Sequence, residues 1–198
     1  LYTGNGSTQS ITGVGFQPDT VWIKDRTTAE SNHLFDAVRG ATETLLTNQN
    51  QAEFTGADRL TAFDSDGFSL GSNDGVNKNT DAIVSWNWLA NGSGSANTDG
   101  TINSTVSVNA SAGFSIVKYE GNNTSGATVG HGLSATPELI IIKNLDANVD
   151  WIVYSEPVGP DKGLQLNGYG APYDYLAYFN DTAPTSSVFS LGNYSGVN

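Results

Sequence analysis

The sequence predicts an all-β protein that consists of two tandem, homologous antiparallel β-sandwich domains of the jelly-roll type. One reason is that short β-branched and aromatic runs recur at roughly 8–12-residue intervals, separated by glycine, proline, asparagine and aspartate. The other is an internal repeat, in which Pro137–Lys143 resembles Pro18–Lys24 and Gly196–Asn198 resembles Gly75–Asn77. A repeat of roughly 120 residues indicates two similar domains.

The strands are located by side-chain patterns. Val84, Trp86 and Trp88 alternate with polar residues, which is typical of a strand with one buried face. The continuous apolar run Ile140–Ile142 predicts a central strand that is covered on both faces. Only residues 41–51 have helix-forming potential, and a strand or an irregular turn suits them equally well. The predicted strands are Thr20–Lys24, His33–Val38, Leu60–Phe63, Phe68–Leu70 and Ala82–Leu89 in the first unit, and Thr105–Val108, Gly113–Tyr119, Leu139–Lys143, Trp151–Tyr154, Gly163–Leu166 and Val188–Leu191 in the second.

The repeat also predicts the domain boundaries. We place the first domain at residues 1–90, a linker rich in Gly, Ser and Asn at residues 91–103, and the second domain at residues 104–198. By comparison between the repeats, the first domain lacks an N-terminal strand that would match Gly113–Val117, and the second lacks a C-terminal strand that would match Asp81–Leu89. We therefore expect a segment of a longer polypeptide or a processed subunit.

The charge balance argues against two classes of partner. Lys and Arg total 8 against 20 Asp and Glu, for a net charge of -12, whereas phosphate recognition requires clustered Lys and Arg. We therefore expect no nucleic-acid partner. No apolar run reaches the ~20 residues of a membrane span, so membrane insertion is not expected. Cysteine is absent, so the fold must be stabilised by packing without disulfides. The composition is typical of β-rich extracellular proteins.

The sequence contains no convincing reaction centre, so we predict no enzymatic activity, no catalytic residues and no cofactor. His33 and His131 have no further ligand at metal-binding spacing. Asp58, Asp64 and Asp66 superficially resemble a calcium loop but lack its closing glutamate. A solvated turn is the favoured interpretation of these aspartates, and a metal site is a weak alternative. A glycan-cleaving enzyme is a third, weaker class of function, since sequence cannot pair two acids across a cleft.

Residues 168–179 form a tyrosine-rich loop that the first unit does not match. Aromatic faces beside hydroxyl and carboxylate groups can stack on sugars. The candidate glycan-binding residues are Tyr169, Tyr173, Asp174 and Tyr175. The other interpretation, which we favour, is that the aromatic residues of this loop pack against the sandwich edge or fill an interface between copies.

Asn-x-Ser/Thr triplets mark possible glycosylation sites, if the source cell modifies them. Many such triplets arise by chance in a chain so rich in Asn, Ser and Thr. The acceptor positions are Asn5, Asn91, Asn103, Asn109, Asn122, Asn123, Asn180 and Asn193.

Several motifs point to a known type of module: Gly13–Lys24, Phe35–Gly40, Leu60–Gly71, Val84–Trp88 and Gly113–Val117. Together they resemble a tandem β-module that recurs in inferred tail-fibre and virion structural proteins of aquatic bacteriophages, and in related environmental sequences. The resemblance covers nearly the whole chain. It implies a multi-copy structural module at an extracellular or virion surface, with host-surface binding as an additional role, and it implies no catalytic residues.

We therefore expect a non-enzymatic structural repeat module of an extracellular fibre, a filament or a phage virion appendage. Its partners would be copies of itself in a homo-oligomer, because the unpaired N–H and C=O groups of an open sheet edge invite another strand. Incomplete domains at both ends could complete each other head to tail. The alternative is a carbohydrate-binding module that recognises host-surface glycans through the loop at residues 168–179.

Overall fold

The computed structural model describes residues Leu1–Asn198 and confirms that the chain is all-β. About 40% of the residues lie in strands, which form several antiparallel sheets. The chain divides into two compact units. The first unit contains residues 1–49 and 53–93, and the second contains residues 50–52 and 94–198.

The first unit contains a six-stranded sheet and a three-stranded sheet. Its elements are β1 (Tyr2–Thr3), β2 (Gln9–Thr12), β3 (Thr20–Asp25), β4 (His33–Asp36), β5 (Gly40–Leu46), β6 (Phe54–Thr55), β7 (Leu60–Asp64), β8 (Gly67–Leu70), α1 (Asp74–Asn77) and β9 (Ala82–Trp88). The strand orders are β1-β9-β3-β4-β5-β6 and β2-β8-β7. Side chains from both sheets and from α1 form one buried cluster that comprises Val21, Ile23, Phe35, Leu60, Phe68, Leu70, Val76 and Ile83.

The second unit contains three sheets. Its elements are β10 (Ser95–Asn97), β11 (Ser104–Asn109), β12 (Phe114–Tyr119), β13 (Ala127–Gly130), β14 (Leu139–Ile142), β15 (Ile152–Ser155), β16 (Lys162–Gln165), β17 (Tyr173–Asp174), α2 (Leu176–Phe179) and β18 (Val188–Leu191). The strand orders are β10-β11-β12, β13-β18 and β14-β15-β16-β17. Its core contains Ile102, Ala127, Val129, Ile142, Ile152, Tyr154, Tyr178, Phe179, Phe189, Leu191 and Val197.

Every predicted strand has a counterpart in the structure, with ends that differ by at most two residues. Gly40–Leu46 is a strand, so the helical alternative for residues 41–51 is wrong. Its β-branched threonines favour the extended conformation. Within the predicted linker, Ser95–Asn97 pairs with β11. The sequence analysis also missed β2, β13, the two single-turn helices and the two-residue strands, because elements this short carry little periodicity.

The prediction of a central, doubly covered strand at Ile140–Ile142 is wrong. This strand, β14, lies at the end of its sheet and pairs only with β15. Leu139 is 59% exposed and Ile141 is 40% exposed. A run of isoleucines reports apolar character but not the number of neighbouring strands, since an edge strand can carry the same residues.

The two units share a set of buried contacts at matching positions of the repeat. In the first unit, the Tyr2 hydroxyl donates to Val76 O (2.7 Å), and the Tyr2 ring meets Phe68 edge-on. In the second unit, the Tyr119 hydroxyl donates to Val197 O (2.6 Å), and its ring meets Phe189 edge-on. These matching contacts support the alignment of the two repeats that equates Tyr2 with Tyr119. The same alignment equates β3 with β14.

A pair of asparagines extends this correspondence. The Asn77 side chain accepts a hydrogen bond from Asn5 N (2.9 Å) and donates to Gly71 O (2.8 Å). At matching positions, the Asn198 side chain accepts from Asn122 N (2.7 Å) and donates to Gly192 O (2.8 Å). Each amide therefore joins the start of its repeat to the end, which explains why Gly-Val-Asn occurs twice in the sequence.

Candidate functional site: an open strand edge and a tyrosine cluster

The outer edge of β14 presents backbone groups that pair with no other strand. Glu156 N donates to Glu138 O (2.8 Å), in line with the pairing of β14 and β15. In an antiparallel ladder, alternate residues direct both backbone groups to the same neighbour. The backbone groups of Ile140 and Ile142 therefore face β15, whereas those of Leu139 and Ile141 face outward.

The equivalent strand of the first unit is covered. There β9 pairs with β3 along its whole length, from Thr20↔Trp88 to Asp25↔Ile83. Thr20 is 7% exposed, whereas Leu139, at the matching position of β14, is 59% exposed. The exposure of the β14 side chains therefore follows from the absence of a neighbour on this edge. An edge with large apolar side chains is a surface that favours strand addition.

The tyrosine-rich loop forms a compact aromatic group in the structure. The ring centroids of Tyr175 and Tyr178 lie 4.8 Å apart, and those of Tyr178 and Tyr194 lie 5.3 Å apart. Tyr173 joins through Tyr175 at 6.0 Å. These four residues are the tyrosine cluster. Tyr178 is buried and packs directly on Gly163, so it anchors the exposed rings of Tyr173 and Tyr175.

The predicted glycan-binding residues are only partly brought together. Tyr173 and Tyr175 belong to the tyrosine cluster, and Asp174 lies between them on β17, exposed and opposite Lys162. Tyr169 is fully exposed and makes none of the ring contacts of the cluster. Tyr194 was not predicted as a member, because it lies far along the sequence. Burial raises the pKa of Tyr178 and of Tyr194, so their hydroxyls remain protonated donors.

Asp58, Asp64 and Asp66, the weak candidates for a metal site, each form hydrogen bonds with nearby protein groups. Asp66 accepts hydrogen bonds from Gly13 N (3.0 Å) and Gly15 N (2.6 Å), and these N–H groups lower the pKa of its carboxyl. Asp64 accepts from the Ser69 hydroxyl (2.7 Å), and Asp58 contacts Arg59 and Asn73. They do not form a group that could hold a metal ion.

Both histidines are buried against backbone groups. His33 Nδ1 lies 3.1 Å from Ser31 O, so this nitrogen carries the proton. His131 Nε2 donates to Thr185 O (3.2 Å), and its Nδ1 accepts from Leu133 N (3.2 Å). Burial lowers the pKa of both imidazoles. Each ring is therefore held neutral as part of the core of its unit.

Most of the candidate glycosylation sites lie on exposed turns. Asn5 accepts a hydrogen bond from Ser7 N, Asn109 from Ala112 N and Asn122 from Thr124 N, which are side-chain turns typical of asparagine. Asn109 and Asn180 are half-buried. The exposed acceptors are Asn5, Asn91, Asn103, Asn122, Asn123 and Asn193.

A buried charged group was not recognised from the sequence. Arg39 donates to the carboxylates of Asp36 and Glu53 and to the carbonyl oxygens of Leu34 and Glu43. Its side chain is only 6% exposed. Asp36 and Arg39 are close in sequence, but Glu53 comes from a different segment, so no local pattern shows the three together.

The chain was also compared with known protein families, curated proteins and solved structures. No helix of the chain has the length and apolarity needed to cross a membrane. A family model described as a domain of unknown function, DUF7483, matches residues 1–198 and so spans both units. No curated protein and no solved structure shows significant similarity to the chain.

Proposed function

The chain belongs to the DUF7483 family of domains of unknown function, and we propose that it is a non-enzymatic structural module that assembles with copies of itself through sheet edges. In this proposal its place is an extracellular fibre or filament, or a phage virion appendage. The resemblance of the motifs Leu60–Gly71 and Val84–Trp88 to inferred tail-fibre modules supports this placement.

The observation that carries the proposal is the open edge of β14. Leu139 (59% exposed) and Ile141 (40% exposed) are large apolar side chains beside outward-facing backbone groups. Pairing of this edge would bury apolar area and satisfy these backbone groups at the same time.

We also propose that the units are homologous sandwiches of the jelly-roll type. The matching contacts of Tyr2 and Tyr119, and of Asn77 and Asn198, support homology. The shared core between the two sheets of the first unit supports a sandwich. A duplicated module suits a repetitive assembly, because each copy offers the same surfaces.

The assembly proposal is tested by placing a charge on the β14 edge. We expect the wild-type chain to form concentration-dependent oligomers or filaments, and Ile141→Lys to require at least about tenfold higher concentration, because a charged edge resists strand pairing. Added salt should favour assembly, since screening weakens repulsion between chains of net charge -12. Light scattering after size exclusion and negative-stain electron microscopy measure both effects.

Leu176→Lys is the matched control, because Leu176 is similarly exposed (55%) but lies on α2 rather than on the edge. It should assemble like the wild type. A wild-type chain that stays monomeric at all concentrations and salt levels would rule out self-assembly. Equal assembly of Ile141→Lys and the wild type would show that β14 is not the contact.

The second candidate function is recognition of host-surface glycans by the tyrosine cluster. The observation that favours it is that Tyr173 and Tyr175 are exposed (63% and 41%) while buried Tyr178 holds them in place. Rings fixed before binding lose little entropy when a sugar stacks on them. Asp174 supplies an adjacent acceptor for sugar hydroxyls.

We expect Tyr173→Ala to weaken glycan binding at least about tenfold, because it removes one stacking surface. Tyr173→Phe should retain binding within a few-fold, since the ring remains. A glycan array identifies the ligand and titration measures the change. If neither the wild type nor Tyr173→Phe binds any glycan on the array, the second candidate function is wrong.

A further inference from the structure

The turn that begins at the end of β3 has a close counterpart in the second unit. Asp25 Oδ1 accepts hydrogen bonds from Thr27 N (2.7 Å) and Thr28 N (2.8 Å). At the matching position of the repeat, Asn144 Oδ1 accepts from the backbone N–H groups two and three residues later, at 2.9 and 3.1 Å. One oxygen therefore holds the turn in each unit. The second atom differs, because Oδ2 of a carboxylate accepts hydrogen bonds and Nδ2 of an amide donates them.

This second atom has a protein partner only in the second unit. Asn144 Nδ2 donates to Ser195 O (2.7 Å). Ser195 corresponds to Asp74, because each residue directly precedes a Gly-Val-Asn segment. Asp25 Oδ2 is buried and has no hydrogen-bond partner among the protein groups. The repeat therefore directs Asp25 Oδ2 toward Asp74 O, and two acceptors cannot form a hydrogen bond with each other.

The surroundings of Tyr2 also place the Asp25 carboxylate beside α1. Burial, and in second place the charge of Asp25, raises the pKa of Tyr2. The Tyr2 hydroxyl donates to Val76 O, which belongs to α1. Because the effect of a charge weakens with distance, the carboxylate lies near the segment that contains Asp74.

A second buried carboxylate adjoins the first. Thr28, whose N–H bonds Asp25, donates its hydroxyl to Asp81 Oδ2 (2.6 Å). Asp25 is 1% exposed and Asp81 is 7% exposed. The nearby ammonium group of Lys78 donates to the Thr28 hydroxyl (3.2 Å) rather than to either carboxylate. Buried carboxylates are costly unless a positive charge or enough donors compensate them, so this pair favours a bound cation.

We propose that Asp25 Oδ2, Asp74 O and the Asp81 carboxylate form a binding site for a hard divalent cation of the Ca²⁺ type. The cation contacts both acceptors and so replaces the amide hydrogens that Asn144 supplies in the second unit. Carboxylate and carbonyl oxygens are the ligands that Ca²⁺ prefers, with water completing its coordination. Softer metals select nitrogen or sulfur ligands, which this site does not offer. The inference goes beyond the proposed function and does not depend on the β14 edge.

The probe is Ca²⁺ alone, titrated into the full chain after treatment with EDTA and followed by calorimetry at physiological salt. We expect saturable 1:1 binding with a Kd on the order of 10⁻⁴–10⁻³ M, the weak end of the range for calcium sites. Saturating Ca²⁺ should raise the Tm of the first unit by at least about 5 °C. Tryptophan fluorescence measures this shift, because three of the four tryptophans lie in that unit. Mg²⁺ should have a smaller effect, because it demands octahedral geometry and loses water reluctantly.

Asp25→Asn gives the decisive comparison. Its Nδ2 should donate to Asp74 O as Asn144 Nδ2 donates to Ser195 O, so without Ca²⁺ the variant should be at least as stable as the wild type. Its response to Ca²⁺ should be lost. Asp58→Asn is the matched control, because it removes one negative charge from the same unit at a side chain that is 55% exposed. It should respond to Ca²⁺ like the wild type.

Asp81→Asn is an independent variant and decides the question if Asp25→Asn does not fold. Its amide oxygen can still accept from the Thr28 hydroxyl, whereas the charge is removed. Ca²⁺ binding should weaken at least about tenfold. The inference is overturned if the wild type binds no Ca²⁺, or if Asp25→Asn or Asp81→Asn binds it as tightly as Asp58→Asn does. Screening of the net charge of -12 would then explain any stabilisation by the cation.

Discussion

Replacing Arg39 with methionine is expected to destabilise the first unit by about 3–5 kcal/mol, the usual loss when one partner of a buried ion pair is removed. The guanidinium is 6% exposed and serves two carboxylates at once. Without it, Asp36 remains as a buried charge, and Leu34 O and Glu43 O lose a donor. Urea unfolding measures the change, followed by intrinsic fluorescence because three of the four tryptophans lie in the first unit.

Further variants separate two causes of the destabilisation by Arg39→Met, namely the unpaired charges and the lost packing. Adding Asp36→Asn and Glu53→Gln to Arg39→Met should recover part of the loss, because no unpaired charge then remains. Lys162→Met removes a cation whose ion pair with Asp161 is about half exposed (42% and 46%). It should change stability by less than about 1 kcal/mol. Wild-type stability in Arg39→Met would show that the buried pairs contribute nothing.

Acidification is expected to destabilise the first unit by up to about 3 kcal/mol through His33. Burial, assisted by the charge of Arg59, lowers the pKa of His33 from 6.5 to about 4. Between these two values the unfolded chain binds a proton that the native ring does not. The free energy of unfolding is therefore unaffected by His33 above pH 6.5 and falls as the pH decreases below 6.5. The destabilisation reaches its full size near pH 4.

The measurement is the free energy of unfolding between pH 7.5 and 4.5 for the wild type and for His33→Gln, which cannot titrate. We expect the free energy of unfolding of the wild type to fall more steeply with decreasing pH than that of His33→Gln. His131→Gln, in the second unit, is the control and should leave the slope for the first unit unchanged. Parallel curves for the wild type and His33→Gln would contradict a depressed pKa.

The strands and the repeat could be predicted because their signals are local. The alternation in Val84–Trp88 and the β-branched run at Thr20–Lys24 depend only on neighbouring residues. The same holds for the turn residues between strands. The alternation located the strand but not its buried face, because Ile83 is fully buried whereas Trp86 is 48% exposed. Two-residue strands such as Phe54–Thr55 could not be predicted, since their conformation depends on a partner strand elsewhere in the chain.

The candidate sites were predictable only in part. Tyr173, Asp174 and Tyr175 are adjacent in sequence, so composition identified them, but Tyr194 joins the cluster only through folding. Arg39 and Glu53 are 14 residues apart in the sequence, so only folding brings their side chains together. The exposure of Ile141 depends on whether a strand lies beside it, and apolar character cannot show this.

By itself, the sequence determined the all-β class, the positions of the main strands and the repeat, because these depend on side-chain periodicity and on recurring motifs. Only the tertiary structure decided which strands are central and which lie at an edge, because sheet order is set by long-range pairing. It placed β9 on β3, and it showed that β14 pairs only with β15. A similar apolar character therefore occurs in β3, which has a strand on each side, and in β14, which pairs only with β15.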